Sequence, residues 1–194
     1  MNDFAFYFDL GWQHIISKDA LDHQLFIVAL AAIYLVNDWK KVLILVTAFT
    51  IGHSLTLALS ALDIIRVDSR WVEFLIPLTI VITALQNLVK TERHYGQYRA
   101  QYWLALFFGL IHGLGFANTI RFMLSGSQTI TVPLLGFNIG LEAGQVLVVG
   151  LILLMSYLVV NTFKLKRKWW VWGLSLLALC ASGYICVQRW PFGS

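Results

Sequence analysis

Six apolar runs, separated by short polar segments, occupy most of this chain and restrict it to a helical bundle in a membrane. Each run has at least about 17 residues, the minimum that an α-helix needs to cross a bilayer. Hydrophobic residues make up 59% of the chain and charged residues 12%, whereas about 25% are charged in soluble domains. We predict one all-α transmembrane domain over 1–194, with spans at about 20–36, 42–62, 71–89, 103–121, 133–163 and 169–189.

The segment before the first apolar run has the pattern of a short amphipathic helix. Over residues 4–16, apolar side chains such as Phe4 and Phe8 share one helical face, and Asp9 lies on the other. This pattern predicts an interfacial N-terminal helix on the membrane surface. No Lys or Arg precedes Lys18, so the segment lacks the basic region of a signal peptide, and the first span must itself direct insertion.

The distribution of Lys and Arg predicts the orientation of the six spans. The loops at 37–41, 90–101 and 164–168 together carry more of these residues than the opposite side does. By the positive-inside rule these loops face the cytoplasm, so both termini lie outside it. A bacterial inner (plasma) membrane is the expected location. The net charge of +4 follows from this topology and predicts no nucleic-acid partner.

Several ionisable residues lie inside the predicted spans. A charged side chain there costs about 2.5 to 3.5 kcal/mol on insertion scales, so residues of this kind usually line a cavity or bind something. His53, His112 and Glu142 are each about nine residues, or about 13 Å, from the outer end of a span. Asp22 and His23 begin the first span from the same side, so the five side chains could meet.

Imidazole and carboxylate groups together favour a divalent transition metal such as Ni, Zn, Co or Fe. A single histidine in a span more often makes an interhelical hydrogen bond, and it is the whole set that favours a metal. The predicted ligands are Asp22, His23, His53, His112 and Glu142. Side chains that would support these ligands, or line the access path, are His14, Thr50, Ser54, Asn138 and Gln145.

Two stripes of glycine predict close helix packing. Gly136, Gly140 and Gly144 recur every fourth residue in the fifth run, and Gly109 and Gly113 do so in the fourth. Small residues at this spacing let two helices approach closely in lipid.

Five segments of the chain resemble the HupE/UreJ membrane proteins, especially their second branch. They are Gly11-Trp-Gln-His14-Ile, Asp22-His23-Gln-Leu-Phe26, Phe49-Thr-Ile-Gly-His53-Ser-Leu-Thr56, Phe108-Gly-Leu-Ile-His112-Gly-Leu-Gly-Phe-Ala117 and Gly136-Phe-Asn-Ile-Gly-Leu-Glu142-Ala-Gly-Gln145. That family is associated with hydrogenase and urease accessory functions and with uptake of nickel or related metals. The resemblance implies a metal permease, with the five predicted ligands on motif positions. Nickel and cobalt permeases more broadly carry a His-x4-Asp-His signature, whereas Ser17 stands at the first of these positions here.

In the transporter hypothesis, a nickel or zinc ion enters from outside as the cargo. Asp22, His23 and His53 replace its water shell, and it then passes His112 and Glu142 toward the cytoplasm. The expected partners are therefore the lipid bilayer and the metal ion, and a homo-oligomer or a metalloenzyme-maturation partner is left open.

The same residues allow a second function. Three histidines around zinc with an open fourth position would activate a water molecule, as in a zinc hydrolase. Asp22 or Glu142 would then be the general base, and Ser54 would stabilise an oxyanion. A b-type haem between His53 and His112, and a purely structural scaffold, are further alternatives.

Overall fold

The computed structural model describes residues 3–89, 98–124 and 130–192, which form helices and no strand. Lys90 and Arg93, two of the residues that predicted the orientation, lie outside these ranges. The α-helices within them are α1 (Asp3–Ile16), α2 (Leu21–Ala31), α3 (Trp39–Ala61), α4 (Ser69–Val89), α5 (Tyr98–Gly115), α6 (Ala117–Leu124), α7 (Thr131–Ser156) and α8 (Arg167–Gln188). A 3₁₀ turn, Lys18–Ala20, joins α1 to α2, and a π-helical turn, Tyr157–Thr162, extends α7.

Four helical segments of the described chain are long and apolar enough to cross a membrane, which makes this an all-α membrane protein. They are Val36–Ala61, Ser69–Val89, Thr131–Thr162 and Arg167–Gln188. A fifth is obtained if α5 and α6, which meet at a bend of 50°, are taken as one span. The first predicted span is an 11-residue helix, α2, about 17 Å long and too short to cross alone. The six-span count is therefore not confirmed.

Helix α1 lies lengthwise and parallel against the first half of α7. A methyl group added at Gly136 would lie 2.8 Å from the carbonyl oxygen of Phe4, and one at Gly144 would lie 2.9 Å from Cβ of Ile15. The glycine stripe thus presents a flat surface on which the α1 backbone rests. Because α7 is a candidate span, the interfacial position predicted for α1 is not confirmed.

Helices α3 and α5 form a second close parallel pair. A methyl group at Gly52 would overlap the carbonyl oxygen of Leu106, and one at Gly109 would overlap that of Phe49. The packing role predicted for both glycine stripes is confirmed. This contact fixes α3 and α5 side by side at the level of their predicted ligands, His53 on α3 and His112 on α5.

Two arginines hold α2 in its place. Arg167, at the start of α8, donates to the carbonyl oxygen of Ile33 at 2.6 Å, and Arg189, just after α8, donates to Asp22 at 2.7 Å. Helix α2 is therefore antiparallel to α8. Since α1 begins beside the start of α7 and α2 ends near the start of α8, the two follow α7 in succession, with Ser17–Ala20 as the break between them.

Candidate metal centre

Four histidines from four helices meet beside the break between α1 and α2. The ring centroids of His14 and His23 are 4.5 Å apart, and those of His23 and His112 are 5.2 Å apart. His53 is 5.9 Å from His14 and 6.1 Å from His23. The break makes this possible, because it sets the last turn of α1 and the first turn of α2 against the α3–α5 pair.

Ring nitrogens in this cluster are buried and lack hydrogen-bond partners among the described residues. They are Nε2 of His14, His23 and His112, and both Nδ1 and Nε2 of His53. His53 and His112 are fully buried, and His23 is 7% exposed. A buried polar group without a partner costs about 1 to 3 kcal/mol, so a site with several of them is one that a ligand can stabilise.

The cluster fits a metal ion by its donor atoms. One ligand atom from each of His14, His23 and His53 lies within 4.8 Å of the others. Nitrogen atoms around tetrahedral zinc are about 3.3 Å apart, from Zn–N distances of about 2.0 to 2.1 Å. Small ring movements would therefore bring the three nitrogens onto one ion. His14, expected only as a supporting residue, is one of the three.

His112 has the hydrogen bond that ligand histidines usually have. Its Nδ1 lies 2.8 Å from the carbonyl oxygen of Phe108, one turn earlier on α5. A carbonyl oxygen only accepts, so Nδ1 carries the proton and Nε2 keeps its lone pair. Its unpartnered Nε2 is therefore the nitrogen that could bind a cation.

Aromatic rings enclose the histidines. Phe116 is 4.5 Å from His14, and Phe137 stacks on Phe116 at 5.0 Å. On the other side, Phe26 and Phe49 are each 5.1 Å from His112. Packing of this kind restricts the rotation of the imidazole rings and excludes water from their buried nitrogens.

A cavity of about 350 Å³ opens from the cluster. We call it the vestibule; its lining includes His14, His23, His112, Asp19, Asp22, Glu73 and Arg189. Three carboxylates and one guanidinium give it a negative balance, which would concentrate cations at its mouth. The arginines near the start of α4 do not neutralise Glu73, because Arg66 pairs with Asp63 and Arg70 pairs with Asp68.

Comparison with known proteins identifies the family of the chain. The family model described as HupE / UreJ protein matches residues 1–189. The chain belongs to the HupE/UreJ family. No curated protein and no solved structure matches the chain significantly. The HupE/UreJ match includes every residue that the sequence analysis named as a ligand or supporting residue.

In this HupE/UreJ protein Asp22 lies at the junction of the vestibule and the cluster. Its Oδ2 accepts a hydrogen bond from Nη1 of Arg189 at 2.7 Å, whereas its Oδ1 is buried and has no partner among the described residues. In the sequence, Arg189 is the last residue of the sixth predicted span. Nothing in its local sequence indicates that the side chain reaches back to the first turn of α2.

Glu142 is not brought to the histidines. Thr47 on α3 donates a hydrogen bond of 2.7 Å to Oε1 of Glu142, and both residues line a separate cavity of about 450 Å³. We call this cavity the Glu142 groove; it is also lined by Thr50, Ser54 and Asn138.

The remaining predicted supporting residues make bonds of their own. Thr50 donates to Oε1 of Gln145 at 2.8 Å, and Ser54 donates to the carbonyl oxygen of Thr50 at 2.7 Å. Asn138 donates to the carbonyl oxygen of Leu134 at 2.8 Å. The residue of α7 whose ring contacts His53 is Phe137, and Glu142 lies about 140° farther around that helix.

Proposed function

We propose that the histidine cluster binds a divalent transition metal, nickel or zinc, and that the protein is a permease for this ion. One observation carries the proposal: unpartnered ring nitrogens from separate helices converge at the base of a negatively charged vestibule. Imidazole donors suit Zn, Ni, Co and Fe. Membership in the HupE/UreJ family supports a metal-related role.

We assign the first binding step to His14, His23 and His53, with Asp22 as the carboxylate that meets the ion in the vestibule. His112 lies beside His23 and has a free Nε2, so it is placed to take over the ion as water is removed. Buried, neutral imidazoles replace water ligands without adding charge to the interior. Such a chain of donors binds the ion without requiring any single donor to hold it tightly.

For the topology we propose six crossings, with α1 and α2 together forming one broken crossing and α5 and α6 another. Transporters often place ion sites where a membrane helix is interrupted. The vestibule is lined by Glu73 near the start of α4, Gly115 at the end of α5 and Arg189 just after α8. It therefore opens on the side of both termini, which the positive-inside rule assigns to the outside of a bacterial inner membrane.

Three phenylalanines close the path beyond the cluster. Phe26 follows His23 by almost one turn on α2, and Phe49 and Phe108 precede His53 and His112 by one turn on α3 and α5. Phe26 is 4.9 Å from Phe49 and 6.0 Å from Phe108. These rings lie on the side away from the vestibule, so we infer that this conformation is open outward and that release to the cytoplasm requires the rings to move.

Uptake of radioactive nickel or zinc into proteoliposomes tests the permease. Wild-type protein should accumulate the ion above the level of empty vesicles, and His53→Ala should reduce uptake to that level. Glu142→Gln is a matched control, because it alters an ionisable residue of α7 outside the cluster. Wild-type uptake no greater than that of empty vesicles would refute transport.

The geometry favours the permease over the zinc hydrolase. Asp22, one of the two candidate general bases, lines the vestibule, whereas Ser54, the expected oxyanion donor, and Glu142, the other candidate base, line the Glu142 groove. Zinc that stays bound through extensive dialysis, together with hydrolysis of a lipid or amide substrate, would instead support the enzyme.

A further inference from the structure

Arg189 places a positive charge inside a cavity that otherwise suits cations. It follows the last residue of α8 and is 37% exposed, and its Nη1 donates to Asp22 Oδ2 at 2.7 Å. Both residues line the vestibule together with His14, His23 and His112. A guanidinium thus lies where the proposed cargo must pass, bonded to the carboxylate that would meet it first.

The bond with Arg189 occupies only one of the two carboxylate oxygens of Asp22. Its Oδ1 is buried and has no partner among the described residues, and its side chain is only 17% exposed. Asp22 directly precedes His23, so a cation that binds the carboxylate is also brought to the cluster. The carboxylate therefore has two oxygens that could bind a metal ion, and Arg189 occupies one of them.

We propose that Arg189 is a tethered cation that occupies Asp22 when no metal is bound and gives way to an incoming divalent ion. This inference rests on the proposed metal site. The guanidinium keeps the Asp22 carboxylate compensated in the empty state and lowers the net affinity for metal. Such competition favours transport, since an ion must bind well enough to enter and weakly enough to leave.

A second role for the same bond is structural, because it ties the end of α8 to the start of α2. Arg167 offers a matched control, since it ties the start of α8 to the same chain segment through the backbone oxygen of Ile33. A tie made to a neutral carbonyl oxygen does not compete with a metal ion.

Plain repulsion between Arg189 and the ion is a third role, and it would persist without Asp22.

Zinc affinity of the purified full-length protein, measured in detergent by competition with a chelating dye, separates these roles. Arg189→Gln should bind zinc about tenfold more tightly than wild type, which corresponds to about 1.4 kcal/mol. In an Asp22→Asn background the same change should alter affinity by less than about twofold. Arg189→Lys should resemble wild type, and Arg167→Gln should not tighten binding.

Chemical modification of the wild-type protein tests the inference without a variant that could misfold. Phenylglyoxal reacts with free guanidinium groups, and peptide mass spectrometry reports the extent at Arg189. We expect faster modification of Arg189 when zinc is added and no change at Arg167.

Four outcomes would overturn the tethered-cation role while leaving the metal site intact. They are an Arg189→Gln affinity equal to that of wild type, an equal gain in the Asp22→Asn background, weakening by Arg189→Gln and Arg167→Gln alike, and zinc-independent modification of Arg189. Wild-type protein that binds no zinc would instead overturn the proposed function, and the role of Arg189 with it.

Discussion

The histidine cluster is buried inside the bundle, whereas the Glu142 groove lies open at its surface, and the two regions satisfy their polar groups differently. In the cluster, His23, His53 and His112 are buried and keep ring nitrogens without partners. In the groove, Glu142 accepts a hydrogen bond from Thr47, and Thr50 bonds to Gln145. Ionisable residues on candidate spans are thus not equivalent: the cluster has donor atoms to offer a ligand, whereas the groove uses most of its polar atoms internally.

The largest expected effect is a difference in zinc affinity between a variant of the cluster and a variant of the groove. Loss of a ligand should cost more than the 10- to 100-fold typical of residues that only support ligands, so His53→Ala should weaken zinc binding by about 100-fold or more. Glu142→Gln should change affinity by less than about threefold. Isothermal titration of both variants in detergent measures the difference. Equal losses would show that the groove belongs to the metal site.

The next largest effect is expected for a substitution in the α3–α5 contact, which positions the backbone of the cluster. Gly109→Ala would force a methyl group into the carbonyl oxygen of Phe49 and bring it within 3.1 Å of the backbone nitrogen of His53. We expect about 1 to 3 kcal/mol of destabilisation from such overpacking, together with weaker zinc binding. Gly150→Ala is the control, because nothing lies within 4 Å of that position. Denaturant unfolding measures the stability; a neutral Gly109→Ala would contradict the close α3–α5 contact.

A smaller effect is expected in the groove. Thr47→Val removes the hydroxyl that donates to Glu142, and one hydrogen bond contributes about 0.5 to 1.5 kcal/mol. Zinc affinity should stay at the wild-type value. A double-mutant cycle with Glu142→Gln measures the coupling between the two side chains. A loss of zinc affinity in Thr47→Val would link the groove to the cluster.

The smallest effect is expected at the exposed loop after α3, which provides a baseline for charges in water. The hydrogen bond from Arg66 lowers the pKa of Asp63 below its ordinary value. A carboxylate with a lowered folded-state pKa stabilises the protein above its unfolded-state pKa, and this contribution is lost as the pH falls through the folded-state value. Asp63→Asn should slightly flatten the acid side of the stability curve, measured by thermal unfolding between about pH 2 and 5.

Asparagine is suited to that test because Asp63 has a φ of 59°, a left-handed conformation that asparagine tolerates well. The variant therefore removes the charge without adding backbone strain. A large change in stability at neutral pH would show that this pair is not the solvent-screened contact that its exposure indicates.

The positions of most membrane helices, and the faces on which they pack closely, were predictable from local sequence patterns. The apolar runs near α3, α4, α7 and α8 predicted membrane helices because about 20 consecutive apolar residues form a helix long enough to cross a bilayer. The glycine stripes predicted close contacts because their spacing puts small residues on one face of a helix. The break after α1 falls between the predicted N-terminal helix, 4–16, and the first predicted span, 20–36, although Ser17–Ala20 carries no proline or glycine to mark it.

The candidate site was predicted in part. Depth along each span placed His53, His112 and Glu142 at one level, because rise per residue is nearly constant in a helix. Depth does not define which way a helix is rotated, so the estimate could not separate the face of α7 that carries Phe137 from the one that carries Glu142. His14 was placed too far from the cluster because α1 was expected on the membrane surface.

The sequence by itself determined that this is an all-helical membrane protein with ionisable residues in its apolar runs, because composition and local spacing encode burial and helix geometry. Its motifs, separately, indicated the HupE/UreJ family. Only the tertiary structure decided which of those residues meet. It set His14 beside His23, paired Glu142 with Thr47, and brought Arg189 to Asp22. Such contacts depend on the rotation and partners of each helix, and no local stretch of residues specifies those.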